Sequence, residues 1–404
     1  MEAIELGRLL NGDAEPTVER ARWRDRRRPA GERYLVLPSR SRPRLLVPAG
    51  ERRAAAAAAA AAHHAFAWRS RLRQWATRAG LTAGLGDLLF RDRLALTGSS
   101  TLAGWLSEVM DQPVRLGLRL GPPRANQKPV LALLDRECTV VGYAKLGVTP
   151  LTRRLLATER TALTELATAE LATVRVPRLR YAGDWHGADL VVVSALPVAQ
   201  AAAGAGRRGA GLILAAAAEL ARLRPVVVAD LAGSDYHHRL AAQVAALPAD
   251  PHRELLAATL ARTVAADRRL EFGCWHGDFF AGNLAVTGSQ VLVWDWERFA
   301  TGVPVGFDAL HHTFMSELLV RGRALPEAAA RMAERAAEVL APLAVPAAQA
   351  PVVAALYLVE IATRYRTDSN QAGGGGLLAA AQWLPRALSR LALPPPAEVD
   401  SGSE

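Results

Sequence analysis

Three polar side chain types recur at a chemically useful spacing between Cys274 and Glu297, in the stretch CWHGDFFAGNLAVTGSQVLVWDWE. His276, Asp278 and Asn283 form the pattern H-x-D-x-x-x-x-N, and a short apolar run from Val291 to Trp294 then delivers Asp295 at its end. Phosphoryl transfer from a nucleotide requires one carboxylate near the acceptor hydroxyl and oxygen ligands for magnesium. Asp278 suits the first task, Asn283 and Asp295 the second. An Asp and an Asn five residues apart fit on one compact loop, and a strand end adds the last ligand without flexible reach. A lone H-x-D means little; the full set in its loop, strand and aspartate context is a strong signal.

HGDFFAGN followed by VWDWE resembles the catalytic and metal-binding motifs of the aminoglycoside phosphotransferase and choline kinase family. The resemblance implies an α+β, two-lobed protein-kinase-like fold with a small β-rich N-lobe and a larger helical C-lobe. It implies ATP and Mg2+ as cofactors, with the nucleotide between the lobes, and a small-molecule acceptor. By the same likeness Asp278 is the catalytic base, Asn283 and Asp295 hold magnesium, and His276 shapes the loop. The chain departs from protein kinases in carrying Asp295-Trp296-Glu297 instead of D-F-G, and in lacking a later A-P-E. A protein acceptor is therefore not expected.

The supply of lysine points to a second group. Of 49 basic residues only Lys128 and Lys145 are lysines. Where arginine serves almost everywhere else, a retained lysine marks a place that needs a compact ammonium and not a planar fork. Lys145 ends the strand-like run Val140 to Lys145, as the lysine of V-A-I-K does, and would hold nucleotide phosphates as a point charge. Lys128 lies in the turn-rich segment Gly121 to Lys128, which has no G-x-G-x-x-G and reads equally as a phosphate cover or an ordinary hairpin. Glu159, on the helix that follows Lys145, is its expected ion-pair partner, with Glu165 as the fallback.

The elements that must carry these groups follow from hydrophobic patterning. Val114 to Leu120, Pro129 to Leu134 and Thr139 to Leu146 read as strands, and Asp189 to Ala195 as a buried strand. The family resemblance makes the last of these a hinge, with Val193, Ser194 and Ala195 meeting the adenine through their backbone. Val174 to Tyr181 reads as one further strand region. Upstream, Tyr34 to Leu37 and Arg44 to Val47 suggest a hairpin, Glu51 to Arg78 one alanine-rich helix, and Ser99 and Ser100 the cap of a helix from Leu102. Downstream, helical patterns cover Gly209 to Leu223, Leu240 to Leu247, Leu255 to Arg269, Leu310 to Val320, Leu325 to Leu343, Pro351 to Arg366 and Leu377 to Leu391. Asp308 reads as a helix cap or loop anchor. The expected organisation is an N-terminal extension over 1–98, an N-lobe over 99–196, a C-lobe over 197–393 and a tail over 394–404.

Composition narrows the setting. The formal charge is +10, yet residues 197–404 hold 18 arginines against 20 acids, so the excess lies in the first 196 residues. It is densest in Arg20 to Arg33; residues 1–32 read as polar and Arg-rich, and that cluster is expected to be a solvated arm with possible weak contact to an anionic surface. No aromatic or zinc-ligand pattern supports a nucleic-acid module. Cys138 and Cys274 follow no ligand spacing, which fits two reduced thiols and a cytoplasmic protein. His63-His64 are adjacent and would point to different helix faces, and His237-His238 and His311-His312 lack a second ligand set, so metal binding at these pairs is not expected. No run of about 18 uncharged apolar residues suggests a membrane span. On the acceptor side, Arg364-Tyr365-Arg366-Thr367-Asp368 favours a neutral, hydroxyl-rich or anionic molecule, such as a sugar or polyol, over a polycationic aminoglycoside. The competing readings are a non-catalytic nucleotide-binding pseudokinase or scaffold, and an aminoglycoside-modifying kinase.

Overall fold

The computed structural model of the 404-residue chain describes residues 2–12, 14–20, 32–61, 68–98, 100–121, 126–198, 206–266, 269–370, 380–391 and 393. The core of the Arg20–Arg33 arm, the pair His63-His64, loop residues 122–125, the glycine run Gly373–Gly376 and the tail from Pro394 lie outside them. The class is mixed α+β. The chain divides into two compact units, residues 1–167 with 177–196, and residues 168–176 with 197–404.

The first unit is built on a nine-stranded sheet. In sheet order its strands are Thr17–Arg20, Asp92–Leu96, Glu32–Leu37, Leu45–Pro48, Arg115–Leu120, Pro129–Leu134, Val140–Gly147, Ala188–Ser194 and Leu179–Trp185. Every neighbouring pair is antiparallel. Residues before 99, which the sequence sets apart as an extension, thus supply four strands of the same sheet. The polar reading of residues 1–32 is also revised. Ala3, Leu6, Gly7 and Leu10 recur at helical spacing, and a helix Ala3–Leu10 buries them. The Trp185 indole donates to the Leu9 carbonyl at 2.8 Å and ties this helix to the far edge strand.

Alternation along the strands fills both faces. Leu116, Leu118, Leu131, Leu133 and Leu146 are fully buried in one cluster with Leu6 and Leu10, each worth about 1.5–3 kcal/mol of apolar transfer. The other face is covered by the alanine-rich helix Arg52–Ala61 over Leu35, Val47 and Leu134. The helix lies so close that a Cβ on Gly117 would come within 2.3 Å of the Ala58 Cβ. Small side chains on both partners are what this approach requires. The single helix expected over Glu51 to Arg78 is two, Arg52–Ala61 and Trp68–Thr82. The cap of helix Leu102–Val109 is Thr101, whose hydroxyl accepts from the Gly104 N–H at 3.2 Å.

The second unit is mainly helical, around the buried helix Ala350–Asn370. It also holds two small sheets, one of Val227–Asp230, Arg269–Trp275 and Ala300–Pro304, the other of Leu284–Thr287, Gln290–Val293 and Val174–Arg175. The expected strand Val174 to Tyr181 is therefore divided. Its first two residues pair in parallel with Val291 and Leu292, and the chain passes through Pro177, which has no N–H for a ladder, before Leu179–Trp185 joins the large sheet. The helix expected over Leu255 to Arg269 is shorter: Pro251–Ala265 is helical, and Arg269–Trp275 is the strand that leads into the His276–Asn283 loop.

Candidate active site

The strand Arg269–Trp275 runs directly into His276, which is fully buried. Its imidazole makes two contacts of opposite kind. Nδ1 accepts the Asp278 N–H at 3.2 Å, and Nε2 faces the Trp294 carbonyl at 3.1 Å. A carbonyl only accepts, so Nε2 carries the proton and Nδ1 does not. Burial pushes His276 down to about 4, against the pull of Asp278 and Asp295, which keeps this neutral tautomer. His276 therefore shapes the loop in a concrete sense: it joins the backbone at Asp278 to the residue preceding Asp295. Gly277 has φ of +82°, and a Cβ there would lie 2.2 Å from the Arg298 carbonyl oxygen, so glycine is required.

Asp308 anchors the loop from below. Its carboxylate accepts the N–H of His276 at 2.7 Å and of Gly277 at 3.1 Å. It stands in the first turn of helix Phe307–Met315, whose N-cap is Gly306 with no side-chain cap, so anchoring is its role and capping is not. Burial raises its carboxyl to about 7, while the two N–H bonds and Arg364 oppose the shift. Arg364 adds a third tie, donating to the Gly277 carbonyl at 2.6 Å with its guanidinium 5.6 Å from the Trp275 ring centroid.

Asp278 keeps a side chain 33% exposed. Oδ2 accepts from Asn283 Nδ2 at 2.9 Å and Oδ1 faces His311 Nε2 at 3.3 Å. Burial works to raise its carboxyl, but the His311 hydrogen bond and the charge of Arg364 outweigh this and hold it below the usual carboxylate value. It is ionised at neutral pH and able to accept a proton. Asn283 Nδ2 also donates to the Asp278 carbonyl at 3.0 Å. Both partners are oxygens, so the amide nitrogen must face them and Oδ1 is turned the other way.

Asp295 follows the hairpin of Leu284–Thr287 and Gln290–Val293. The Trp294 N–H donates to the Asn283 carbonyl at 3.1 Å, which sets residues 283 and 294–295 side by side. Asp295 has φ of +71°, a left-handed conformation that side chains other than glycine seldom adopt and that clusters at functional positions. Magnesium prefers hard oxygen donors and keeps several waters. An amide oxygen directed away from Asp278 and an adjacent carboxylate fit that preference. The donor chemistry of this amide–carboxylate pair makes it the metal candidate; among the described residues no group of three or more His, Cys, Asp or Glu could hold a metal.

In the first unit, Lys145 sits mid-strand between Val130 and Val191. Its Nζ meets Glu159 Oε1 at 2.5 Å, with the two side chains 9% and 1% exposed. Glu159 Oε2 is buried without a hydrogen-bond partner among the described residues. Glu165 is half-buried one turn and a half further along helix Pro150–Leu166. Lys128 is buried just before the strand Pro129–Leu134. At the expected hinge Val193 is buried, and Ser194 and Ala195 are half-buried. The N–H groups of Ser194 and Ala195 donate to the Arg178 and Val141 carbonyls at 2.9 and 3.0 Å. Those two donors are therefore engaged within the unit.

The neutral His276 makes acid stability testable. Its folded value near 4 lies below the ordinary 6.5, so between those pH values the unfolded chain binds more protons. The stabilisation is complete above 6.5 and is lost as pH falls to about 4, at about 1.4 kcal/mol per unit. Urea unfolding at stepped pH is expected to show wild type losing roughly 2–3 kcal/mol more than His276→Asn over this window. Parallel losses in the two proteins would show that His276 is not held neutral.

Sequence reasoning leaves His311 and Tyr357 without a place at this site, puts Arg364 on the acceptor side but not on the loop, and gives Asp308 no definite place. His311 lies one helical turn beyond Asp308, which is a usable signal. Tyr357 and Arg364 come from a helix distant in sequence, so nothing local ties them to the loop.

No family model matches the chain, and no curated protein matches it in sequence. Among solved structures it is similar to a thermostable mutant of the aminoglycoside phosphotransferase APH(4)-Ia in ternary complex with ADP and hygromycin B, at 11% identity over 72% of this chain and 98% of that one, with a TM-score of 0.43. It is also similar to a putative fructosamine-3-kinase from Thermobifida fusca, at 14% identity over 72% of this chain and 96% of that one, with a TM-score of 0.44. The aminoglycoside phosphotransferase APH(3'')-Id from Streptomyces rimosus, in complex with ADP and streptomycin, is similar at 17% identity over 56% of this chain and 88% of that one, with a TM-score of 0.38. Likeness this distant carries nothing about the reaction, which rests on the side chains themselves.

Proposed function

We propose that the chain is an ATP- and magnesium-dependent phosphotransferase that acts on a hydroxyl of a small molecule. The observation that carries this reading is the ionised, partly exposed Asp278, pinned by Asn283, whose own amide oxygen is left for a metal beside Asp295. Asp278 orients the acceptor hydroxyl and takes its proton as attack proceeds. Asn283 and Asp295 would hold magnesium, which when bound offsets charge on the β- and γ-phosphate oxygens. Lys145, fixed by Glu159, binds phosphate as a point charge, and Lys128 is a further candidate contact. Val193, Ser194 and Ala195 remain the proposed adenine contacts; besides the two engaged N–H donors, the Ser194 hydroxyl accepts the Arg178 N–H at 2.9 Å.

The acceptor is proposed to be a sugar or similar polyol. The groups whose charge Asp278 feels include Arg364, and Arg298, paired to Asp368, in turn feels Asp278. Two guanidiniums close to the base favour a neutral or anionic acceptor over a polycation. No described helix is long and apolar enough to cross a membrane.

Calorimetry of ATP with magnesium and with EDTA tests the reading, followed by a phosphotransfer screen over sugars, polyols and aminoglycosides. ATP is expected to bind at least about tenfold (roughly 1.4 kcal/mol) more tightly with magnesium. Equal affinity in both buffers would favour a non-catalytic nucleotide-binding protein, and turnover confined to aminoglycosides would replace the proposed acceptor.

A further inference from the structure

Behind Asp278 lies a line of two buried polar side chains that the reaction above does not use. His311, on helix Phe307–Met315, has no exposed surface, and neither has Tyr357 on helix Ala350–Asn370. His311 Nε2 faces Asp278 Oδ1 at 3.3 Å and His311 Nδ1 faces the Tyr357 hydroxyl at 2.9 Å.

The direction of these bonds follows from what each atom can do. An ionised carboxylate only accepts, so Nε2 must carry the proton. A neutral imidazole then has a bare Nδ1, which only accepts, so the Tyr357 hydroxyl must donate. Burial lowers His311 from its ordinary value, against the pull of Asp278, in keeping with a neutral ring. Phe280 packs edge-on at 6.3 Å and limits tilting of the ring.

The geometry points to Tyr357 and His311 as a positioning relay for the catalytic carboxylate: the tyrosine hydroxyl commits His311 to its Nε2–H tautomer, and that N–H fixes the rotation of the Asp278 carboxylate. The terminal torsion of aspartate is broad and roughly two-fold. Asn283 holds one oxygen only, and a carboxylate hinged on one contact can swing. With Oδ1 held by His311 and Oδ2 by Asn283, the lone pairs left for the acceptor hydroxyl point in fixed directions. No bond is made or broken in the relay, and neither residue touches the substrate.

The relay's kinetic effect rests on the phosphotransferase reading, but its geometry does not, and the test separates the two. In the full chain, 15N NMR of the His311 ring is expected to show a protonated Nε2 and a hydrogen-bonded, unprotonated Nδ1, with Nδ1 losing its bond in Tyr357→Phe. In parallel, magnesium-ATP hydrolysis with water as acceptor is followed by phosphate release. His311→Phe is expected to lower kcat by about 10- to 100-fold, as misplacement of a reacting group does, with KM for ATP changed by less than about twofold. His311→Gln, which offers an N–H near the place of Nε2, is expected to restore most of that loss. A protonated Nδ1, or equal losses in His311→Gln and His311→Phe, would overturn the relay and leave packing as the role of His311. A wild-type chain that does not hydrolyse ATP would overturn the phosphotransferase reading instead, and the ring tautomer would then decide the relay alone.

Discussion

Asp278→Asn is expected to lower kcat by about 10²- to 10⁴-fold, the range for loss of a general base, while ATP binding and folding stability change little. The surroundings explain why the second half of that expectation holds. Asn283 is fixed by its second bond to the Asp278 carbonyl, so the new amide must place its oxygen toward Asn283 and its nitrogen toward His311. Two donors would then meet unless His311 moves its proton from Nε2 to Nδ1. The Tyr357 hydroxyl accepts as readily as it donates, so the switch is open at small cost. Steady-state kinetics and calorimetry on the same preparation check the outcome. Unchanged turnover would remove Asp278 from the reaction, and a collapse of ATP affinity would assign it to binding.

Asp308→Ala is expected to give the largest loss of stability among the site residues. The N–H groups of His276 and Gly277 would lose their acceptor in a buried place, and each unsatisfied donor costs about 1–3 kcal/mol. The expected loss is therefore several kcal/mol, read as a lower urea midpoint. Asp308→Asn keeps one acceptor oxygen and is expected to lose roughly half as much. A wild-type midpoint in Asp308→Ala would mean that the loop holds itself and that the carboxylate is dispensable.

These variants mark the limit of what the sequence makes legible. His276, Asp278, Asn283 and Asp295 could be read because their contacts close within twenty residues, so spacing alone implies that they meet. The ion pair of Lys145 with Glu159 was legible for the same reason, a strand followed by a helix. Asp308, His311 and Arg364 reach the loop over separations of 31 to 87 residues, with Tyr357 behind His311, and only the packing of helices brings them there. Elements were misjudged where patterns ran together. No glycine or proline stands between the helix Pro251–Ala265 and the strand Arg269–Trp275 to mark the change, and the alanine-rich stretch shows uniform helix propensity that hides a division. The buried helix Ala3–Leu10 is hard to read from sequence because the polar count of the first 32 residues obscures four positions at helical spacing.

The ring of His276 bonds to the backbone at both Asp278 and Trp294, and Asn283 bonds to the same two stretches. Base and metal candidates thus belong to one cassette whose internal fastenings owe nothing to the acceptor. A side chain that altered the spacing between them would disturb both at once. Under the phosphotransferase reading, divergence toward a new acceptor proceeds through the surrounding helices, where a substitution leaves these fastenings in place. Retention of the loop beside free drift of its neighbours is the pattern of inheritance that this wiring favours.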